Sequence, residues 1–165
     1  MNPLFFTIFK IFLILTMIFV VGKSIFVTKE ASKDGKPEKI TMFSGIGLIN
    51  IFLLLVLFIP LIYVSTKGQK LFTFDNIYLL FFLIFILYQI YVNTRILLYK
   101  NGILVMGQYI KYKDIKKARI DDCKIGKTVM LLTTTGGMSF KIGKKDDDKL
   151  REVIKNHKIQ LVKFD

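Results

Sequence analysis

FSGIGLINIFLLLVLFIPLIYV, residues Phe43–Val64, decides the first question about this chain, because it runs 22 residues without a charge. At 1.5 Å per residue, a helix of that length covers about 33 Å, close to a hydrocarbon core of about 30 Å. Lipid offers the backbone no hydrogen-bond partners, so such a run has to be helical. Two more apolar runs flank it. Leu4–Gly22, LFFTIFKIFLILTMIFVVG, carries Lys10 as its one charge, and Ile77–Val92, IYLLFFLIFILYQIYV, carries none. The expectation is three transmembrane helices, spanning 4–22, 43–64 and 77–98. The N-terminus, MNPLFF, lacks a basic segment, and Gly22–Val27 lacks a small-residue cleavage pattern. The first run therefore reads as a retained helix in preference to a cleaved signal peptide.

The whole composition agrees. Of 165 residues, 53% are hydrophobic, against roughly 45–50% in soluble chains, and the excess lies before residue 99. That excludes a water-soluble globule, a disordered chain and a disulfide scaffold. One cysteine, Cys123, and one histidine, His157, leave no internal disulfide and no thiolate or multi-histidine metal site. Glycine-rich phosphate loops, H-E-x-x-H, G-x-S-x-G and C-x-x-C are all missing. Cys123 lies between Asp122 and Lys124, with no base beside it in sequence. The expectation is a protein that is not an enzyme and holds no metal or cofactor.

Charge sets the orientation. Lysine and arginine number 25 against 12 acids, a net +13. Lys23, Lys29, Lys33, Lys36 and Lys39 fall in the first connection, Lys23–Met42, whose alternating charges read as a solvated loop. The second connection, Ser65–Asn76, has Lys67 and Lys70, while the tail opens on Arg95 and Lys100 and continues basic. The positive-inside rule then places the N-terminus outside and the C-terminus in the cytoplasm of a cell-membrane protein. Lys10 would snorkel or face the bundle. Asn50, Gln89 and Asn93 lie in the spans; Gln89 and Asn93, four apart, share a helix face and read as interhelical polar contacts. No acid lies in any span, which disfavours ion carriage. Pro60 should kink the second span.

Past residue 99 the pattern changes to short alternating segments. Asn101-Gly102 reads as a type I′ turn. Strands follow at Ile103–Met106, Tyr109–Lys113, Lys116–Ile120 and the hairpin Thr128–Thr134 with Met138–Ile142, and Arg95–Lys100 reads as a helix end or a first strand. Asp121–Lys127 reads as a loop. Asp146 reads as the N-cap of a helix whose Leu150, Val153, Ile154 and His157 share a face, with Asp147 and Asp148 favoured by the helix dipole. The fold class expected is a membrane α+β protein. Residues 1–99 form the three-helix transmembrane domain, and 100–165 form a small cytoplasmic domain of four or five antiparallel strands plus a C-terminal helix.

Asn101-Gly102-Ile103, then Ile110, Tyr112, Asp114 and Ile115, the Thr128–Ile142 hairpin and the helix from Asp146 carry a resemblance. Together they resemble the bacterial pleckstrin-homology-like domains, including the YcxB-like type that follows membrane helices. The resemblance implies a binding or scaffold module without shared enzymatic chemistry.

Lys111, Lys113, Lys116, Lys117 and Arg119 form the candidate binding cluster, facing an anionic membrane surface or a protein partner. Each lysine near such a surface is worth about 1 kcal/mol. Nucleic acid is not expected, because the exposed aromatics and arginines of single-strand readers are missing. The partners expected are the lipid bilayer and a protein or a second copy of the chain. The leading function is a subunit or regulator of a membrane complex. A self-immunity protein against a membrane-acting toxin is the alternative, and a transporter or channel subunit is a third reading.

Overall fold

The computed structural model describes residues 3–43, 45–66, 73–124 and 126–162. Lys67 and Lys70 of the second connection lie outside these residues. The chain divides into two compact units, Met1–Phe26 with Ile46–Tyr91 and Val27–Gly45 with Val92–Asp165.

The first unit is helical. α1 (Pro3–Ala31), α2 (Gly45–Thr66) and α3 (Phe74–Asn93) supply it. Large apolar side chains stand exposed along α1, among them Phe5, Phe12, Phe19 and Phe26. Among the described residues, one helix is long and apolar enough to cross a membrane, over Leu4–Asp34. Of the other two, the apolar stretches among the described residues run Leu48–Pro60 and Ile77–Asn93, shorter than the roughly 20 residues a crossing takes. Three transmembrane helices are therefore corrected to one candidate span. The physical reason lies at the ends of the expected spans. Phe43 belongs to a strand, and Arg95–Leu98 form another, so sheet pairing takes residues that hydropathy alone assigned to lipid. α1 has the length and composition of a membrane span or a signal sequence. Lys10 is half-buried, with its ammonium 6.0 Å from the Tyr78 ring centre.

The second unit is one eight-stranded sheet with a helix. Its strands are β1 (Glu38–Phe43), β2 (Arg95–Leu98), β3 (Gly102–Val105), β4 (Gln108–Lys111), β5 (Ile115–Asp122), β6 (Lys127–Thr133), β7 (Gly137–Ile142) and β8 (Gln160–Leu161). The order is β4-β3-β2-β1-β7-β6-β5-β8, antiparallel except for the parallel pair β5 and β8. This corrects the expectation of four or five antiparallel strands. It also corrects the solvated-loop reading of the first connection, which supplies β1 at the middle of the sheet. EKITMF shows why: Ile40 and Met42 alternate inward, and both are buried. The unit thus reaches back to Val27 and begins again at Val92, across the boundary expected at 99/100.

The sheet has to curl. Six strand steps separate β4 from β5, about 29 Å if flat. Yet only Tyr112–Asp114 join Lys111 to Ile115, a reach of about 14 Å at most. The concave side holds the main core, with Ile40, Ile96, Ile103, Val105, Val129, Leu131 and Ile142 nearly fully buried. α4 (Asp147–Asn156) adds Leu150 and Ile154. On the other face of β2 and β3, the register partners Leu97 and Leu104 pack with Ala31 and Val27 from the last turns of α1.

Asp146 does stand at the N-cap of α4, but its side chain makes no cap bond. Its Oδ2 accepts the Thr41 N–H from β1 at 3.2 Å, and Lys149 Nζ reaches Glu38 Oε1 at 3.1 Å. β1 is therefore tied to α4 as well as to β2 and β7. The sequence pattern predicts turns at Asn101-Gly102 and at Gly107-Gln108. The first region does turn, with the Tyr99 N–H bonded to Gly102 O at 2.8 Å, but Lys100 and Asn101 have no positive φ. The type I′ geometry is found at the second turn, one residue earlier than expected. Positive φ falls at Met106 (50°) and Gly107 (72°), the two residues between Val105 and its partner Gln108, which is the type I′ requirement. Gly102 instead opens β3, where a Cβ would lie 2.5 Å from Ile110 O and 2.7 Å from the Tyr109 ring.

Lys127 Nζ meets Asp122 at 2.6 Å and Asp147 at 3.4 Å, and Arg151 Nε reaches Asp147 at 2.8 Å. The hydrogen bond with Lys127 holds the Asp122 carboxyl below the usual carboxylate range, and the same bond holds Lys127 above the usual lysine range. Both groups stay charged through neutral pH. The contribution of Asp122 is lost as pH falls through its lowered range, and that of Lys127 as pH rises through its raised range. Lys127→Met should lower the thermal midpoint at neutral pH, with the deficit shrinking in acid. A deficit that stayed constant down to pH below the carboxylate range would contradict this.

Candidate functional site

The five basic residues of the expected cluster lie on two different surfaces. Lys111 ends β4 and Lys113 follows in the turn Tyr112–Asp114; both are exposed. They line a cavity of about 390 Å³ with Asp34, Asn101, Tyr112 and His157. Lys117 and Arg119 project from β5 and line a second depression. Lys116 sits at a register shift between Ile115 and Lys117, so both it and Lys117 are exposed. Such an irregularity places two successive residues on one side, which strict alternation forbids.

The first cavity is bounded by a hydrogen-bonded clamp. Asp34 accepts from Asn101 Nδ2 at 3.0 Å and from the Tyr109 hydroxyl. Desolvation and the Asp34 bond both push the Tyr109 hydroxyl well above its ordinary range. Tyr112 stacks on His157 with centroids 4.0 Å apart at 22°. Its hydroxyl is buried without a hydrogen-bond partner among the described residues, and that desolvation raises its pKa. An unpaired buried hydroxyl costs about 1–3 kcal/mol. Tyr112→Phe should therefore keep the His157 stacking and stabilise the chain by about 1 kcal/mol, read as a higher thermal midpoint. A clear loss of stability would show that the hydroxyl has a partner. His157 ends α4, as its spacing suggested.

The second depression lies on the convex side of β5, β6 and β7. Cross-strand register places Leu132 between Gly137 and Lys117, and Met130 between Ser139 and Arg119. Val162 closes the end beyond β5, with its N–H bonded to Ala118 O at 2.9 Å. The result is a groove of about 520 Å³. Its wall is apolar, its β7 side is made of the small residues Gly137 and Ser139, and its β5 side carries two cations. Met130 is 43% and Leu132 48% exposed. Apart from Leu161, they are the only exposed large apolar side chains among the described residues of the second unit. Arg119 is held in place by Asp121, with Nε 2.7 Å from Oδ1.

The sequence reading missed Met130 and Leu132, although a signal was present. VMLL, Val129–Leu132, is apolar on both faces of an antiparallel strand, where one solvated face should be polar. Of the expected interhelical polar residues, Asn50 and Gln89 are half-buried in the first unit, while Asn93 is buried in the second. Cys123 is half-buried. Among the described residues, no group of three or more metal-ligating side chains comes together. No family model matches the chain, and the search of curated proteins found no match.

Proposed function

We propose that this chain is a membrane-attached binding module whose sheet unit holds a protein partner on the cytoplasmic side. The observation that carries the reading is the exposed pair Met130 and Leu132, set beside Lys117 and Arg119 on a unit whose other described large apolar side chains, Leu161 apart, are buried or half-buried. Isolated exposed apolar residues are ordinary, but a grouped patch rimmed by charge marks an interaction surface. The anchor is α1, which exposes apolar side chains over most of its length and has no lysine before Lys10. Lys23 and Lys29 lie in its C-terminal part and Lys33, Lys36 and Lys39 follow it, so the positive-inside rule favours a cytoplasmic sheet unit. Val27 and Ala31, at the end of α1, pack in that unit. The likeness to pleckstrin-homology-like modules draws support from the meanders β2–β4 and β5–β7, joined through β1 and followed by α4.

Two measurements test this. In a Cys123→Ser background, Ser32→Cys should react with an impermeant thiol reagent only after cells are permeabilised. A protein should also stay bound to the full chain through mild detergent. Labelling of intact cells, or a chain that purifies alone under every mild condition, would overturn the proposal.

A further inference from the structure

Building on the partner-binding reading, we infer that the groove on the convex side of β5, β6 and β7 receives an acidic amphipathic helix of the partner. The volume, about 520 Å³, lies within the range of about 300–1,000 Å³ typical of binding pockets. An extended peptide would add to a sheet edge, using main-chain bonds. This groove lies on a face, where only side chains are offered, and a face suits a helix bearing an apolar stripe. Met130 and Leu132 would meet that stripe, and the unbranched methionine can adapt to its shape. Gly137 and Ser139 leave room beside them; a Cβ on Gly137 would meet nothing within 4 Å. Lys117 and Arg119 stand directly across from the apolar pair, where carboxylates flanking the stripe would lie. Arg119 is already paired with Asp121, so Lys117 is the principal contact for a carboxylate of the partner. The net +13 of the chain adds long-range attraction for an acidic partner.

The bilayer is a poorer occupant. Lys141 of β7 pairs with Phe43, the last residue of β1 before the chain leaves for α2. Leu132 pairs with Gly137, four residues further along β7 and so about 13 Å away. The apolar pair thus lies along β7 away from the pairing with Phe43.

The test uses the full chain in phosphatidylcholine nanodiscs, with empty nanodiscs as the control. The probe is a fluorescent synthetic helix of about 18 residues, long enough to be helical, with leucines on one face and glutamates on the rest. Two further probes carry lysine for glutamate or the same residues scrambled. The glutamate helix should bind, and the other two should bind at least about tenfold more weakly. Leu132→Ser and Lys117→Glu, both at exposed positions, should each weaken it by about tenfold, and Lys117→Glu should narrow the preference over the lysine probe. Equal binding of all three probes, or indifference to Leu132→Ser, would overturn the assignment. So would disulfide cross-linking of Leu132→Cys to itself between two chains in the Cys123→Ser background, because the occupant would then be a second copy. A resident partner that co-purifies regardless of Leu132 would leave the module reading standing and reject only this groove.

Discussion

A fragment that starts at Val92 and runs to Asp165 should fail to fold, although it contains seven of the eight strands and α4. The missing strand, β1, lies between β2 and β7 and is the only link in the order between the β2–β4 meander and β5–β7. Without it, Ile96 loses its register partner Ile40, and the core loses Ile40 and Met42, which are 1% and 2% exposed. Truncating one buried isoleucine to alanine costs about 2–5 kcal/mol, while a domain has about 5–15 kcal/mol in total. Two such residues, a full ladder of backbone bonds, and the Thr41–Asp146 and Glu38–Lys149 ties to α4 exceed that margin. The fragment also exposes Leu97 and Leu104, which the end of α1 covers. Proton spectra of the fragment should show narrow amide dispersion, with no cooperative melt. Joining residues 27–43 to 92–165 by a short turn should restore both, because Thr41 faces Arg95 and Met42 N–H bonds Thr94 O at 2.9 Å. In the full chain, Ile40→Asp should have the same effect as the truncation, by burying an unpaired charge. A cooperative melt of the Val92–Asp165 fragment would show that β1 is an accessory.

The same strand marks how far the sequence could be read. Alternation is a local signal, and the hairpin near Thr128–Ile142 and the helix after Asp146 follow from it within a residue or two: β6 and β7 span Lys127–Thr133 and Gly137–Ile142, and α4 starts at Asp147. EKITMF alternates as well, but it sits among lysines, glycine and proline and is separated from its partner β2 by α2 and α3. Nothing local says which distant strand will pair with it. Hydropathy also overreached at Ile96, Leu97 and Leu98, since a buried strand and the end of a membrane helix have the same composition. The binding cluster suffered from a single irregularity: alternation from Lys111 through Arg119 assumes one continuous face, whereas the turn Tyr112–Asp114 and the register shift at Lys116 send the lysines to two surfaces. The apolar half of the groove needed a different question, namely why Met130 and Leu132 are apolar when Val129 and Leu131 already fill the core.

Gly126→Ala should lower stability by about 3 kcal/mol or more, through two effects that further variants can separate. Gly126 has φ +84°, and a Cβ there would lie 2.1 Å from Ile142 O and 3.2 Å from its carbonyl carbon. Left-handed backbone alone costs a non-glycine residue about 1–3 kcal/mol. The obstacle is main chain in β7, which cannot swing aside as a side-chain tip would, so the β6–β7 ladder has to shift at Lys127↔Ile142. For a unit of this size each kcal/mol moves the midpoint by about 4–8 °C, so a fall of about 12 °C or more is expected. Asparagine tolerates positive φ, so Gly126→Asn would recover stability if backbone strain were the cause; the carbonyl contact predicts that it will not. Gly35, at φ +102° and ψ −169° with nothing within 4 Å, supplies the converse: Gly35→Ala meets backbone strain without a clash, so it should cost less than Gly126→Ala. Since the β5–β6 hairpin presents Lys117, Arg119, Met130 and Leu132, Gly126→Ala should also abolish binding of the glutamate helix, whereas Gly35→Ala should leave it intact. A midpoint for Gly126→Ala within a few degrees of the parent would mean that the hairpin does not approach Ile142 this closely, and the groove geometry built on that register would have to be redrawn.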